Sequence, residues 1–206
     1  MASAALSPSA IVVADITGIV LCGGRGRRMG TVDKGLVELN GKPLVAHVIE
    51  RLAPQVGTLI INANQNIDRY AAFDRPVLSD ALDGYAGPLA GLHAGMTYAN
   101  TPYVVTAPCD SPFLPQDLVA RLSATLMRNG AQIAVAKTFD QPHPVFALVR
   151  RDVLAHLERF LQAGGRKIDA WYATLVAADA PFDDEADAFR NINTREELDA
   201  CEKGVL

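Results

Sequence analysis

Residues 19–35 read Ile-Val-Leu-Cys-Gly-Gly-Arg-Gly-Arg-Arg-Met-Gly-Thr-Val-Asp-Lys-Gly. The apolar run at 19–21 has the character of a buried strand, and it stops at Gly23 and Gly24 as a strand does on entering a loop. Gly23, Gly24, Gly26 and Gly30 let backbone N–H groups approach a ligand closely. Arg25, Arg27, Arg28 and Lys34 then add positive charge where those amides would point. A plain turn with solvated arginines needs neither so many glycines nor so much like charge in one place. The segment therefore reads as a strand followed by a cradle for a polyphosphate.

It is neither of the two common phosphate loops. A P-loop needs Gly-Lys followed by Ser or Thr, whereas Lys34 is followed by Gly35. The dinucleotide fingerprint needs G-x-G-x-x-G, whereas Gly24, Gly26 and Gly30 run G-x-G-x-x-x-G, with no acidic residue at the ribose-reading distance. Kinase-type and dehydrogenase-type readings both lose ground.

Outward from this loop the chain alternates strand-like and helix-like segments. Strands are expected over 18–21, 58–62, 76–78, 103–107, 132–136 and 145–149, and helices over 43–52, 66–72, 88–98, 115–127, 151–162, 167–174 and 194–202. Pro43, Pro88 and Pro115 sit where a first helical turn tolerates a missing N–H. Thr194 with Glu197 predicts a capping box. This alternation specifies a three-layer, Rossmann-like α/β fold with a mainly parallel sheet. Residues 1–15 are expected to form a flexible extension and 16–206 a single domain, with 16–115 and 116–206 as its two halves.

In such sheets ligands bind beyond the carboxyl ends of the strands, and the polar residues of this chain gather there. Asn62 and Asn64 end the second strand, Asp80 follows the third, and Asp110 follows the fourth. Asp110 lies in Pro108-Cys109-Asp110-Ser111-Pro112, where prolines on both sides direct the backbone and keep the carboxylate out of the ladder. A carboxylate beside a polyphosphate repels it unless a hard cation lies between, and Mg²⁺ commonly takes one or two carboxylates plus phosphate oxygens. The alternative is an Asx-turn residue.

Composition narrows the class. The 206 residues are half apolar and one-fifth charged, with a net charge of −4 that argues against a general nucleic-acid binder. No apolar run approaches a membrane span, and the opening residues lack the basic leading region of a signal peptide. Cys22, Cys109 and Cys201 show no metal-binding spacing and suit a reducing cytoplasm. Cys22 and Cys109 are expected as small buried packing residues. Trp171 and Tyr172 are expected to pack a helix on the core, with stacking on a flat ligand ring as the lesser reading.

The pattern L-C-G-G-R-G-R-R-M-G-x-x-D-K-G, followed by L-N-G-K-P-L, resembles the molybdenum cofactor guanylyltransferases, the MobA family of nucleotidyltransferases. Cys22 and Gly26 depart from the family's usual Ala and Ser. The resemblance runs through P-C-D-x-P at Asp110, the segment around Asp80, H-P-x-x-A-L at His143, and F-x-N-x-N-T at Asn191 and Asn193. It implies Mg²⁺-dependent transfer of GMP from GTP to the molybdenum–molybdopterin cofactor, with pyrophosphate as the leaving group. Other proteins of cofactor biosynthesis and recipient molybdoenzymes are implied as partners, with no nucleic acid and no membrane.

Carried onto this chain, the family's pattern implies Lys34, Arg28 and Asp110 as catalytic residues, with Asp110 also the metal ligand. The nucleotide would lie against Leu21, Cys22, Gly23, Gly24, Lys34, Asn62, Asp80 and Asp110. The acceptor would lie against Gly87, Gly91, His143, Arg166, Lys167, Asn191 and Asn193, with no catalytic role for His143. Gly23-Gly24 favours guanine, since cytidylyl relatives usually read L-A-A-G there. A CTP-using relative, a sugar-phosphate nucleotidylyltransferase and a catalytically silent carrier are the competing readings.

Overall fold

The computed structural model describes residues 10–23, 33–81 and 87–204. Its centre is β1 (Ile16–Leu21), buried along its whole length. β1 pairs in parallel with β4 (Thr58–Asn62) on one side and with β6 (Tyr103–Pro108) on the other. Beyond β4 lies β5 (Val77–Leu78), also parallel. On the far side β6 pairs antiparallel with β8 (Gln141–Arg150), which pairs antiparallel with β7 (Ile133–Thr138). β9 (Ala177–Pro181) closes that edge parallel to β7. The order β5-β4-β1-β6-β8-β7-β9 leaves β8 running against the other strands of this sheet, so the sheet is mixed but mainly parallel, as expected.

The strand residues divide the interior into two cores. Val20, Ile61, Val105 and Leu148 face α1 (Leu44–Leu52) and α4 (Leu118–Arg128). Their neighbours Ile19, Ile60, Val104 and Val149 face α3 (Pro88–Tyr98), α5 (Leu154–Gln162) and α6 (Ile168–Tyr172). Alternate side chains of one strand point to opposite faces, and here both faces are covered, which gives the three layers. Trp171 is fully buried in the second core and Tyr172 lies beside it with its hydroxyl donating to Pro144 C=O at 2.7 Å. Packing is therefore their role, and no face of Trp171 is open to stack on a ligand.

Three short strands lie outside the expected set. β2 (Glu38–Leu39) and β3 (Lys42–Pro43) form a hairpin around Asn40 and Gly41, both with positive φ, as a type I′ turn requires. β9 has the composition Ala-Ala-Asp-Ala-Pro, which carries no strand signal, and it forms because β7 offers it a free edge. The helix expected from Pro115 begins at Leu118. Pro115 instead supplies a carbonyl to Leu118 N–H and to the Gln55 side chain. The helix expected from residue 151 opens as a 3₁₀ turn over Arg151–Val153. Of the expected extension, residues 1–9 lie outside the described residues. Residues 10–15 lead into β1 with Ile11 resting on the core and Ala14 against Gly57.

Candidate functional site

Strand order reverses at the β1–β6 junction: the chain leaves β1 toward β4 and β5, then returns on the other side as β6. The two central strands extend their ladder one residue past their ends. Cys22 N–H donates to Asn62 C=O at 2.8 Å and Cys109 N–H to Leu21 C=O at 3.1 Å. Both thiols are buried in the same core. Burial, reinforced by the neighbouring Cys109, holds the Cys22 thiol well above its ordinary pKa. Both pack in the interior, and Cys22 is not poised to react. Gly23 follows, and among the described residues no atom lies within 4 Å of the position of a side chain there.

Lys34 and Asp110 meet at this junction. Lys34 opens a 3₁₀ turn, Lys34–Leu36, and its Nζ lies 3.3 Å from Asp110 Oδ2. The same ammonium donates to Asn193 Oδ1. The Asp110 side chain keeps only 13 % of its surface exposed, and its backbone C=O accepts from Ile192 N–H at 2.9 Å. Next to it Ser111 Oγ lies 2.5 Å from Asn191 Oδ1. Residues 191–193 are thus clasped to 110–111, with Asn191 meeting Ser111 and Asn193 meeting Lys34.

A second polar group lies on the β4 side. Asn62 Nδ2 donates to Asp80 Oδ1 at 3.0 Å and to Leu78 C=O. Asn64 Nδ2 donates to Asp80 Oδ2 at 2.8 Å, and its Oδ1 accepts from Asp80 N–H at 2.8 Å. Asn64 was visible as a strand-end residue, but its double grip on Asp80 was not. Gly91 belongs to this group too: a Cβ there would stand 2.3 Å from Asn62 Oδ1. The structure therefore sets Gly91 under the Asn62 side chain. Gly87 caps α3 at φ 125°, a conformation open to glycine alone.

On the β8 side a cavity of about 920 Å³ opens, lined by Pro108, Phe139, His143, Phe146, Phe189 and Asn191 among others. Its cause is local. β8 pairs with β6 only as far as Thr106↔Ala147, and its pairing with β7 shifts register between Val135 and Ala136. Pro142 and Pro144 lack the N–H that would prolong a ladder, so the β7–β8 hairpin splays from β6. His143 stacks on Phe189 with centroids 4.6 Å apart, and burial lowers its pKa. Phe139 caps the hairpin with φ 50° and is 68 % exposed at the cavity rim. Sequence reading missed Phe139; a bulky aromatic in the turn between two strands was the available signal.

Arg166 and Lys167 are placed elsewhere. Arg166 donates to the carbonyls of Leu161 and Gly165 at the end of α5, and neither residue lines this cavity. Gly24 and Arg28, with the other loop arginines, lie outside the described residues.

Strand order thus sets the line of the site: Asp80 after β5, Asn62 on β4, Cys22 and Gly23 after β1, Asp110 after β6, then the cavity beside β8. Four strand spacings make about 19 Å, room for a nucleotide at one end and an acceptor at the other. Among the described residues no group of three or more His, Cys, Asp or Glu could enclose a metal. A single carboxylate is compatible with Mg²⁺ held mainly by phosphate oxygens and water, and Asp110, paired with Lys34, could serve as that carboxylate.

The chain is similar to known proteins along most of its length. A family model described as the MobA-like NTP transferase domain matches residues 18–177. A molybdenum cofactor guanylyltransferase from Ralstonia nicotianae is 51% identical over 197 residues, covering 91% of this chain and 96% of that protein. One from Shewanella is 48% identical over 182 residues, covering 88% and 92%. Among solved structures, molybdopterin-guanine dinucleotide biosynthesis protein A from Archaeoglobus fulgidus superposes with a TM-score of 0.76 at 28% identity, covering 92% of this chain and 98% of that one.

Proposed function

Since the chain belongs to the MobA-like NTP transferase family, we propose that it transfers GMP from GTP to the molybdenum–molybdopterin cofactor. An acceptor phosphate oxygen forms a bond to the α-phosphorus, the bond from that phosphorus to the bridging β-oxygen breaks, and pyrophosphate departs. The substrates bring both nucleophile and leaving group, so the protein supplies positioning and charge. The observation that carries this reading is Lys34 Nζ paired with Asp110 between the Asn62–Asp80 group and the cavity.

In the reaction Lys34 holds the departing phosphates, and the family pattern adds Arg28 as a second catalytic cation. Asp110 would hold Mg²⁺, which supplies neutralisation of triphosphate charge. Leu21, Cys22, Gly23 and Gly24 border the base and ribose, with Asn62 and Asp80 as polar contacts. The cavity at His143 and Asn191 takes the acceptor, so residues 16–115 act as the nucleotide half and 116–206 as the acceptor half. Asn193, bonded to Lys34, joins the two. Among the described residues no helix is long and apolar enough to cross a membrane. We place the reaction in the cytoplasm, where the unbridged thiols stay reduced.

Pyrophosphate release with GTP, Mg²⁺ and loaded acceptor tests the proposal. Lys34→Ala and Asp110→Ala should each lower the rate about 10²–10³-fold, the loss typical of one preorganised charge contact. A folded variant of either kind working at the wild-type rate would remove that residue from the mechanism. No release by the native protein would overturn the reaction.

A further inference from the structure

Asp33 precedes Lys34 and turns the other way. Its Oδ1 accepts from Tyr70 Oη at 2.5 Å and its Oδ2 from Asn66 Nδ2 at 2.9 Å. Both partners belong to one short helix, α2 (Ile67–Ala71): Asn66 is its N-cap, held in the left-handed region at φ 51°, and Tyr70 is fully buried. The tyrosine reaches Asp33 by passing over Gly35, where a Cβ would stand 2.6 Å from its hydroxyl oxygen and 3.1 Å from Cys109 Sγ. Asp33, Lys34 and Gly35 are therefore one device. The first is gripped from behind, the third admits the gripping hydroxyl, and the second projects forward to Asp110 and Asn193.

We propose that Tyr70 and Asn66, through Asp33, are positioning residues that set the direction of Lys34 toward the phosphates. Hydrogen bonds to a carboxylate are about twice as strong as neutral ones, and two of them in a fixed fork leave the carboxylate one orientation. Burial pushes the Tyr70 phenol far above its ordinary pKa, so its hydroxyl stays a donor across the working pH range. Gly35 is buried as well, so the backbone between Asp33 and Leu36 has little freedom to compensate for a lost grip. The inference rests on Lys34 contacting phosphate, as proposed above.

The test is a cycle of variants assayed by pyrophosphate release well below their melting temperatures. Tyr70→Phe keeps the ring and deletes the donor. It should lower kcat about 10- to 100-fold, the cost of a misplaced group, and leave KM for the acceptor within about twofold. In a Lys34→Ala background the same change should cost nothing more, because Tyr70 acts through the missing lysine. Asn66→Gly, which keeps access to the left-handed region, should behave alike and serves if Tyr70→Phe does not fold. An equal loss with and without Lys34, or no loss at all, overturns the inference. A Lys34→Ala protein with native turnover overturns instead the reading on which it rests.

Discussion

At the residue scale, His143 shows how burial alone becomes a measurable property. Its ring lies against Phe189, and Nε2 is 2.7 Å from Thr138 Oγ1. Burial lowers its pKa in the folded chain, so between that value and the ordinary one of about 6.5 the unfolded chain binds more protons. Stability is then complete above about pH 6.5 and falls as pH drops from there through the folded value. Thermal melts from pH 7.5 to 5 should show the native protein losing more than His143→Gln does. Parallel curves for the two would mean that the ring is not protected from its proton by burial. Lys34 and Asp110 each stand out in the sequence, the one as a cation following a glycine-rich loop and the other as a carboxylate between prolines just past a strand. The grip on Asp33 does not, since it depends on a tyrosine 37 positions away in the chain crossing a glycine whose role appears only in three dimensions.

At the scale of elements, α7 (Arg195–Glu202) does more than close the chain. Its capping box is complete: Glu197 N–H donates to Thr194 Oγ1 at 3.1 Å, and Thr194 N–H to Glu197 Oε2 at 3.0 Å. The same carboxylate also accepts from Asn193 N–H at 2.6 Å. The cap therefore holds the residue that reaches Lys34. Thr194→Ala should cost about 0.5–2 kcal/mol, seen as a lowered urea midpoint with an unchanged slope, while Thr194→Ser should restore most of it. An unchanged midpoint in the alanine variant would show that Leu198, buried against Leu39 and Leu44, carries the helix without its cap. Long amphipathic helices and the central strands were legible because their periodicity spans several turns or residues. β9 was not, since Ala177–Pro181 is a strand by virtue of its partner and not its side chains. The β2–β3 hairpin carried its Asn-Gly signal, but two-residue strands are too short for periodicity to mark.

At the scale of the molecule, the strand order, which α/β alternation leaves open, decides which chemistry meets which. The parallel half brings Asp80, Asn62 and Gly23 to one end of the crevice, and the reversed β8 opens a cavity at the other. That reversal was the part sequence could not disclose: the prolines of 142 and 144 mark a break in pairing but not the direction of the strand that contains them. If the β4–β1 end is the guanine site, occupancy there must stabilise the whole sheet, because the nucleotide binds the folded chain and not the unfolded one. A triphosphate at about 100 times its Kd adds roughly 2.7 kcal/mol, which for a domain of this size raises Tm by about 5–10 °C. With Mg²⁺ present, GTP should give a shift of that order and CTP at the same concentration less than about 2 °C. The contrast follows from Gly23, around which no described atom lies within 4 Å of a Cβ position, leaving space for a purine edge. A larger shift with CTP than with GTP would reverse the base assignment while leaving Lys34 and Asp110 in their roles, because both act on phosphates that the two nucleotides share.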